Sequence, residues 1–230
     1  MRKTFLILLS TIGFFSSAQI ASSPFSISSL PTPTSNLFLN TISTVRNNGQ
    51  LSYEEIKGSP YYKKEFSLAK MAENFESAPA RYNSFTDQIE FQKDGNNYVL
   101  PKESVFSSIT FLNTKEKIVL LETNDENSGY FFELVGGKYG LYKKVKTKFI
   151  DIKKASNSFS EDRPAYFLNV DPLYYIKTEK GYIKEPKVSK DIIAKIPEKT
   201  EQLNAFFKSN KIKFNKEEDL IKLANFLNQN

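Results

Sequence analysis

Between about residue 51 and residue 186 the sequence is a series of short β-prone runs, separated by turn-forming residues. This pattern is typical of the strands of an antiparallel sheet. Residues 87–91 alternate with a period of two, residues 93–96 supply a hairpin turn around Asp94-Gly95, and residues 98–100 return. The pattern predicts a β-hairpin at this point, within a longer meander of antiparallel strands.

Further strands are predicted along the same stretch. Residues 106–112 pair with residues 117–122, and residues 130–135 pair with a long strand from Lys138 to about Ile152. The glycines at 136 and 137 favour a tight turn within the second pair. The remaining strands are expected at 166–170, 173–177 and 182–184. The spacing predicts eight to ten strands in one curled sheet or partly open barrel.

After Pro186 the apolar period becomes helical. Ser189 is placed to cap a short helix, Pro197 is placed to start a second one, and Asn215 with Glu218 forms a capping signature for a last helix. The expected apolar stripes are Ile192, Ile193 and Ile196; then Leu203, Phe206 and Phe207; then Leu220, Leu223, Ala224 and Leu227. Because these stripes need a partner, residues 187–230 are expected to cover the sheet with two or three helices, which makes the fold α+β.

The N-terminus has the features of an export signal. Arg2 and Lys3 precede an uncharged, mostly apolar run at 5–15, and small residues end the segment at Ala18. Residues 1–18 are therefore predicted to be a cleavable signal peptide that directs the protein to the periplasm or the exterior. The apolar run is about 11 residues, against the roughly 20 needed to span a bilayer, so the mature chain is expected to be soluble, with no transmembrane segment.

Residues 19–50 are rich in Ser, Thr, Pro and Asn, and Arg46 is their one charged residue. Such a composition predicts a linker or a loosely attached arm. The expected organisation is therefore a signal peptide, this arm, an antiparallel β body at 51–186 and the helical cover of the same domain.

Three residue types are missing from the chain: histidine, cysteine and tryptophan. Their absence excludes Ser-His-Asp and Cys-His catalysis, disulfides and the usual zinc sites. Export without cysteine fits a bacterial envelope protein better than a eukaryotic secreted one. With 32 Lys and Arg against 26 Asp and Glu, the positive bias is too weak to indicate nucleic-acid binding. No catalytic residue, metal site or cofactor is predicted.

Carboxylates offer the remaining route to catalysis. Asp87 and Glu90 lie near Arg81, but positions 87 and 90 of a straight strand point to opposite faces. An ion pair from Arg81 to Asp87 or Glu90 across a short turn is therefore favoured over a carboxylate pair. A polysaccharide hydrolase with Asp87, Glu90 or Glu133 brought together from different strands stays open as the alternative function.

Two other motifs are weaker. Ser67-Leu68-Ala69-Lys70 matches the Ser-x-x-Lys pattern of penicillin-recognising enzymes, but the chain lacks the partner motifs of those enzymes. Residues 125–129 offer oxygen ligands that could bind calcium, but they do not match the full loop signature. The first match is expected by chance, and the second is better explained as a hairpin tip.

The strongest surface feature is a row of lysines in the long strand. Tyr142, Lys144, Lys146 and Lys148 share one face by the period-two rule, opposite Leu141, Val145 and Phe149. These four residues are the predicted ligand-binding residues, and the expected partners are an anionic glycan or lipid headgroups held by salt-sensitive contacts. The alternative is a solvated face whose lysines discourage edge-to-edge strand association. The neighbouring lysines that add charge are Lys138, Lys143, Lys153 and Lys154.

Five short motifs resemble those of a family of uncharacterised exported proteins of Gram-negative bacteria. They are Gly58-Ser59-Pro60-Tyr61, Ala80-Arg81-Tyr82-Asn83, Asp87-Gln88-Ile89-Glu90-Phe91, Gly129-Tyr130-Phe131-Phe132 and Lys216-Glu217-Glu218-Asp219-Leu220-Ile221. The resemblance covers about 55 to 230 and implies an export signal, a β-rich body and a helical C-terminus. It implies no catalytic or ligand residue.

Taken together, the sequence predicts a non-enzymatic exported protein of the bacterial envelope that acts as a binding or assembly module. Besides the hydrolase, the open alternative is a carrier of a lipid-like ligand inside the curled sheet, lined by some of the 12 Tyr and 20 Phe.

Overall fold

A computed structural model describes residues 56–73, 75–155 and 161–229 of the chain. Within them, ten antiparallel strands form one sheet in the order β10-β9-β8-β7-β6-β5-β1-β2-β3-β4. The sheet is curled and open, with β4 and β10 at its edges, so the predicted α+β class is confirmed. The strands are β1 Ser67–Lys70, β2 Ala78–Asn83, β3 Gln88–Lys93, β4 Asn96–Val99, β5 Ser108–Phe111, β6 Lys117–Leu121, β7 Gly129–Val135, β8 Leu141–Ile150, β9 Tyr166–Thr178 and β10 Gly181–Lys184.

Three helices follow the sheet, as the sequence predicts: α1 Ser189–Lys195, α2 Thr200–Ser209 and α3 Glu217–Asn228. The caps predicted for α1 and α3 are wrong, whereas Pro197 does begin a 3₁₀ turn, Pro197–Lys199, that leads into α2. The residues that precede α1 and α3 are Val188 and Lys216, and neither makes a side-chain cap. The nearby carboxylate of Asp219 instead accepts a hydrogen bond from the backbone N–H of Lys213, at 2.9 Å. None of the helices in the described ranges is long and apolar enough to cross a membrane.

The strand predicted as two pieces, at 166–170 and 173–177, is the single long strand β9. Lys144 of β8 lies opposite Leu173, but Lys146 lies opposite Val170, so Asp171 and Pro172 form a bulge between those positions. Proline has no N–H to donate to the hydrogen-bond ladder, which explains why the strand bulges there instead of pairing regularly. The two apparent strands are the two halves of one bulged strand.

The predicted tight turn at the two glycines between β7 and β8 is also wrong. Residues 136–140 form a longer connection, and β8 begins at Leu141. Asn228, the last residue of α3, fixes this connection: its Oδ1 accepts from the N–H of Tyr139 at 3.1 Å, and its Nδ2 donates to the Tyr139 carbonyl at 3.0 Å. A contact between residues 89 positions apart therefore replaces the local turn.

Two large apolar cores and two smaller clusters hold the described part of the fold together. The concave side of the curl encloses a first core of ring and aliphatic side chains, which includes Phe91, Phe106 and Tyr130. The three helices pack their stripes on the side of β8, β9 and β10 that carries Leu141 and Ile176, which forms the second core. Full burial of one such side chain contributes about 1.5–3 kcal/mol, so neither the helices nor the sheet edge would be stable apart.

The predicted signal peptide and arm, at 1–50, lie outside the described residues. The segment that follows them begins with Ile56, which packs with Ala165 and Phe167 of the β9 region.

Candidate functional site

Polar contacts between the β2–β3 turn and β8 hold two parts of the open, curled sheet against each other. The N–H of Thr147 donates to the Ser84 carbonyl at 3.0 Å, and the hydroxyl groups of the same two residues lie 2.7 Å apart. The Tyr82 hydroxyl oxygen lies 3.3 Å from the Val145 carbonyl oxygen. We call this line of contacts, together with the neighbouring residue Asp87, the seam.

Asp87 is the centre of the seam. Its carboxylate accepts hydrogen bonds from the Tyr82 hydroxyl at 2.8 Å, from Lys144 Nζ at 2.8 Å and from Lys102 Nζ at 2.6 Å. It also accepts from the N–H of Tyr130, at 3.3 Å. The backbone of Asp87 has a φ of 55°. Non-glycine residues seldom adopt this conformation, although Asp and Asn tolerate it better than most.

Lys144 is the buried cation of this network. Its side chain is 2% exposed, and its Nζ also donates to the Tyr130 carbonyl at 3.0 Å. Burial lowers the pKa of Lys144, while the charge of Asp87 and its hydrogen bond act in the opposite direction. Burial raises the pKa of Tyr82 well above its usual value, and the charge of Asp87 adds to this effect. The ammonium of Lys144 is therefore bound to the carboxylate of Asp87, and the tyrosines beside this pair are neutral. Such an arrangement is typical of an ion pair that stabilises the fold.

Gly129 makes the close approach of this carboxylate possible. It has a φ of +139°, and a Cβ atom at this position would lie 1.9 Å from Asp87 Oδ2. Tyr82, Asp87 and Gly129 therefore meet at one point, although they belong to three different motifs of the sequence.

The carboxylates of the hydrolase alternative each have a basic partner. Glu90 is 3% exposed and accepts from Arg81 Nε at 2.9 Å and from Asn83 Nδ2 at 3.0 Å. This is the Arg81 ion pair across adjacent strands that the sequence favours. Glu133, in β7, accepts from Lys117 Nζ at 2.9 Å. Because Asp87 is bound to Lys144 in the seam, each of the three acids is neutralised separately.

The acidic loop between β6 and β7 lies over one face of the sheet. Asp125 accepts from the Thr123 hydroxyl at 2.6 Å, the Tyr175 hydroxyl at 2.7 Å and the Asn127 N–H at 2.9 Å. Burial raises the pKa of Asp125, but these hydrogen bonds and the ammonium of Lys184 outweigh it and hold the pKa well below its usual range. The carboxylate oxygens are thus satisfied by protein donors. Among the residues that the structure describes, no three acidic groups cluster in a way that could hold a metal ion.

The Ser-x-x-Lys match lies in β1, an extended strand. Ser67 and Lys70 are three positions apart, so their side chains point to opposite faces of the sheet. On a helix the two side chains would lie side by side, as the enzymes with this motif require, but in β1 they do not.

The predicted lysine row runs along one face of β8, and the structure divides it into two parts. Tyr142 packs with Val119, Phe131 and Tyr175 in a small apolar cluster and is 5% exposed. Lys144, as described, belongs to the seam. These two predicted ligand-binding residues are therefore occupied by the fold itself.

Lys146 and Lys148 form the second part, and they reach the surface. Lys146 lies opposite Val170 and Lys148 opposite Leu168 in the β8–β9 pair. Within the described ranges neither lysine has an ion pair or a hydrogen bond from its side chain. By contrast, the neighbouring Lys143 is bound to Glu217 of α3 at 2.8 Å.

Exposed apolar side chains lie beside these two lysines on the same face. Leu168 is 44% exposed and Tyr166, opposite Ile150, is 36% exposed. We call Lys146, Lys148, Tyr166 and Leu168 the basic strip. The opposite face of this strand pair is covered, because Phe149 and Phe167 there pack with Phe85 and Ile56. The apolar half of the strip belongs to β9. The sequence of β8 does not show which residues of β9 lie opposite its lysines, so this half was not predicted.

Comparison with protein-family models, with curated proteins and with solved structures gives no match to this chain. The basic strip and the seam are therefore interpreted from their own geometry.

Proposed function

We propose that this protein is a non-enzymatic exported protein of the bacterial envelope that binds an anionic lipid surface through the basic strip. The observation that carries the proposal is that Lys146 and Lys148, which have no partner among the residues that the structure describes, lie on the same face as the exposed side chains of Leu168 and Tyr166. A surface of this kind presents cations to headgroups and apolar groups to the boundary of the acyl chains.

The expected affinity is low. Each lysine near an anionic surface contributes about 1 kcal/mol, and this contribution falls off within a Debye length. Partial burial of one leucine and one tyrosine adds an amount similar to that of the two lysines together, so the total is about 4 kcal/mol, which corresponds to a dissociation constant near 1 mM. Binding through this strip is therefore reversible and salt-sensitive, and it becomes tight only if a second attachment adds to it.

The apolar half of the strip favours a lipid surface over an anionic glycan. A hydrated polysaccharide would neutralise Lys146 and Lys148, but it offers no apolar medium for Leu168. The export signal predicted at 1–18 supports the same location, because such a signal would deliver the chain to a compartment bordered by membranes. The separate neutralisation of Asp87, Glu90 and Glu133 favours a binding role over the hydrolase.

The proposal predicts the behaviour of a charge-removing variant. Exchange of Lys146→Gln and Lys148→Gln is expected to weaken binding to vesicles that contain phosphatidylglycerol by about tenfold or more, because two electrostatic contributions are lost. The measurement is co-sedimentation of the protein without its predicted signal peptide, residues 1–18, with these vesicles at low and moderate salt. Vesicles of phosphatidylcholine alone are expected to bind poorly.

The matched control is the exchange of Lys208→Gln and Lys211→Gln, which removes the same charge from two exposed positions in and after α2. This control is expected to bind like the parent protein. If both variants lose vesicle binding equally, the effect is one of net charge, and this result would contradict binding through the basic strip. Retention on polygalacturonate that depends on the two strip lysines but is unaffected by Leu168→Ser would assign the strip to a glycan instead.

A further inference from the structure

A separate cleft of about 600 Å³ opens between β9, the segment after β10 and the loop between α2 and α3. Four ring side chains line it: Pro172, Tyr174, Pro186 and Phe214. Its volume lies within the range of about 300–1,000 Å³ that is typical of ligand sites. The cleft lies on the helical side of the sheet, since Tyr174 packs against the second core and the seam residues are not among those that line it.

Irregular backbone surrounds this cleft. The β9 bulge places Asp171 and Pro172 at one wall. Glu185, at another wall, has a φ of 44°, a conformation that is strained for a non-glycine residue. Bulges and strained residues of this kind are over-represented next to functional sites, where they redirect side chains.

The ring of Tyr174 is held in place. Its hydroxyl donates to Glu217 Oε2 of α3 at 2.9 Å, and its carbonyl accepts from the N–H of Glu185 at 2.7 Å. One aromatic wall is therefore positioned before any ligand arrives, which reduces the entropy lost on binding.

The acids of the cleft have no partners in the part of the chain that the structure describes. Within the described ranges the side chains of Asp171 and Glu185 make no ion pair or hydrogen bond, whereas Asp87, Glu90 and Asp125 are each bound to basic or hydroxyl groups. Of the described residues that line the cleft, Lys187 is the one basic side chain, so their two carboxylates against one ammonium give a formal charge of −1, in a chain whose net charge is +6. The cleft is thus an acidic concavity in a basic protein.

We propose that this cleft binds an arginine-bearing, proline-rich segment of a partner protein. A guanidinium group can lie against the faces of Tyr174 and Phe214 by cation–π attraction and pair with Asp171 or Glu185. Proline residues in the extended polyproline conformation pack on aromatic and proline-lined grooves at little cost in entropy. A neutral sugar could stack on the same rings, but it would leave the charge of both acids uncompensated.

The test is isothermal titration of the processed protein with a short amidated peptide of alternating arginine and proline. Saturable binding of one peptide per chain is expected. The double exchange Asp171→Asn and Glu185→Gln is expected to weaken it at least tenfold. The control exchange Glu65→Gln and Glu103→Gln removes the same charge from exposed positions elsewhere and is expected to leave binding unchanged.

Three outcomes would overturn the proposal: absence of peptide binding to the parent protein, equal effects of the two double variants, or binding of a neutral maltooligosaccharide in place of the peptide. A peptide of alternating glutamate and proline controls for the proline contribution and is expected not to bind. Thermal unfolding of each variant shows that it is folded. The exchange of Lys146 and Lys148 for glutamine is expected to leave peptide binding unchanged, so this result and the result with vesicles are independent.

Discussion

Exchange of Asp87→Asn is expected to remove about 3 kcal/mol from the free energy of unfolding, because it leaves the buried ammonium of Lys144 without its anion. Asparagine is the informative replacement because it tolerates the positive φ of position 87 and keeps the shape of the side chain. The loss would be a large part of the 5–15 kcal/mol that stabilises a typical domain, in which case the curl would open at the seam.

The same variant has a predictable pH dependence. With its counter-ion gone, Lys144 escapes part of the penalty by becoming neutral, so its pKa in the folded variant falls further below 10.5, the value in the unfolded chain. Between those two pKa values the unfolded chain binds more protons than the folded one, so stability rises with pH. The loss caused by Asp87→Asn is therefore expected to be smaller at pH 9 than at pH 7.

Urea unfolding followed by circular dichroism measures both effects. The control is Lys102→Gln, which removes the half-exposed lysine bound to the same carboxylate, and it is expected to cost no more than about 1 kcal/mol. A seam variant that costs no more than this control would show that the Lys144–Asp87 pair does not hold the curl closed.

The second large effect is expected for Gly129→Ala. A methyl group at this position would lie 1.9 Å from Asp87 Oδ2 and 3.1 Å from Lys144 Nζ, so the carboxylate has to move away from its donors. The variant is expected to lose about 3–5 kcal/mol of stability, from the disrupted ion pair together with the strain of a non-glycine residue at this φ.

Gly181→Ala is the matched control for this variant. Gly181 has a φ of +114°, and its added methyl group would meet nothing within 4 Å, so it reports the backbone cost alone. This cost is expected to be about 1–2 kcal/mol. The double variant Asp87→Asn/Gly129→Ala is expected to lose less stability than the sum of the losses of the two single variants, because both exchanges act on the same ion pair. Full additivity, or equal losses for the two glycines, would contradict a close approach at Gly129.

The parts of the fold that follow from local chemistry are predictable from the sequence. The β3–β4 hairpin forms at Asp94-Gly95, whose φ values of 50° and 76° are those of a primed turn. The stripe of Leu220, Leu223, Ala224 and Leu227 is completely buried, as its helical spacing requires. Each of these features depends on residues within a few positions of one another.

Features that depend on distant residues are not predictable in this way. The bulge of β9 requires its pairing with β8, and the β7–β8 connection requires Asn228, 89 positions away. The predictions of side-chain caps for α1 and α3 are wrong, because a suitable residue type at the right spacing does not by itself make the capping hydrogen bond.

The same distinction applies to the candidate site. The Arg81–Glu90 pair joins directly opposed positions of one hairpin, so its spacing predicts it. The pair of Lys144 with Asp87 spans 57 residues and forms only because the sheet curls. The period-two rule does place Lys144, Lys146 and Lys148 on one face, but it cannot tell which part of that face is covered.

The lysines along one face of β8 thus have two roles: one stabilises the fold, and the next two provide the proposed lipid-binding surface. Lys144 turns into the seam, whereas Lys146 and Lys148 remain at the surface, without an ion pair or hydrogen bond to any other described residue. Because the surface lysines make no contact that stabilises the fold, their exchange for glutamine is expected to change vesicle binding without lowering the free energy of unfolding.

The most direct measurement of the proposed lipid contact uses the absence of cysteine from the chain. Leu168→Cys provides one thiol in the basic strip for a polarity-sensitive fluorophore, and Val188→Cys provides one at a comparably exposed position before α1. Lipid binding through the strip predicts a blue shift of the probe at position 168, and none at position 188, when phosphatidylglycerol vesicles are added. Equal shifts at both positions, or no shift at position 168 while the protein sediments with the vesicles, would contradict it.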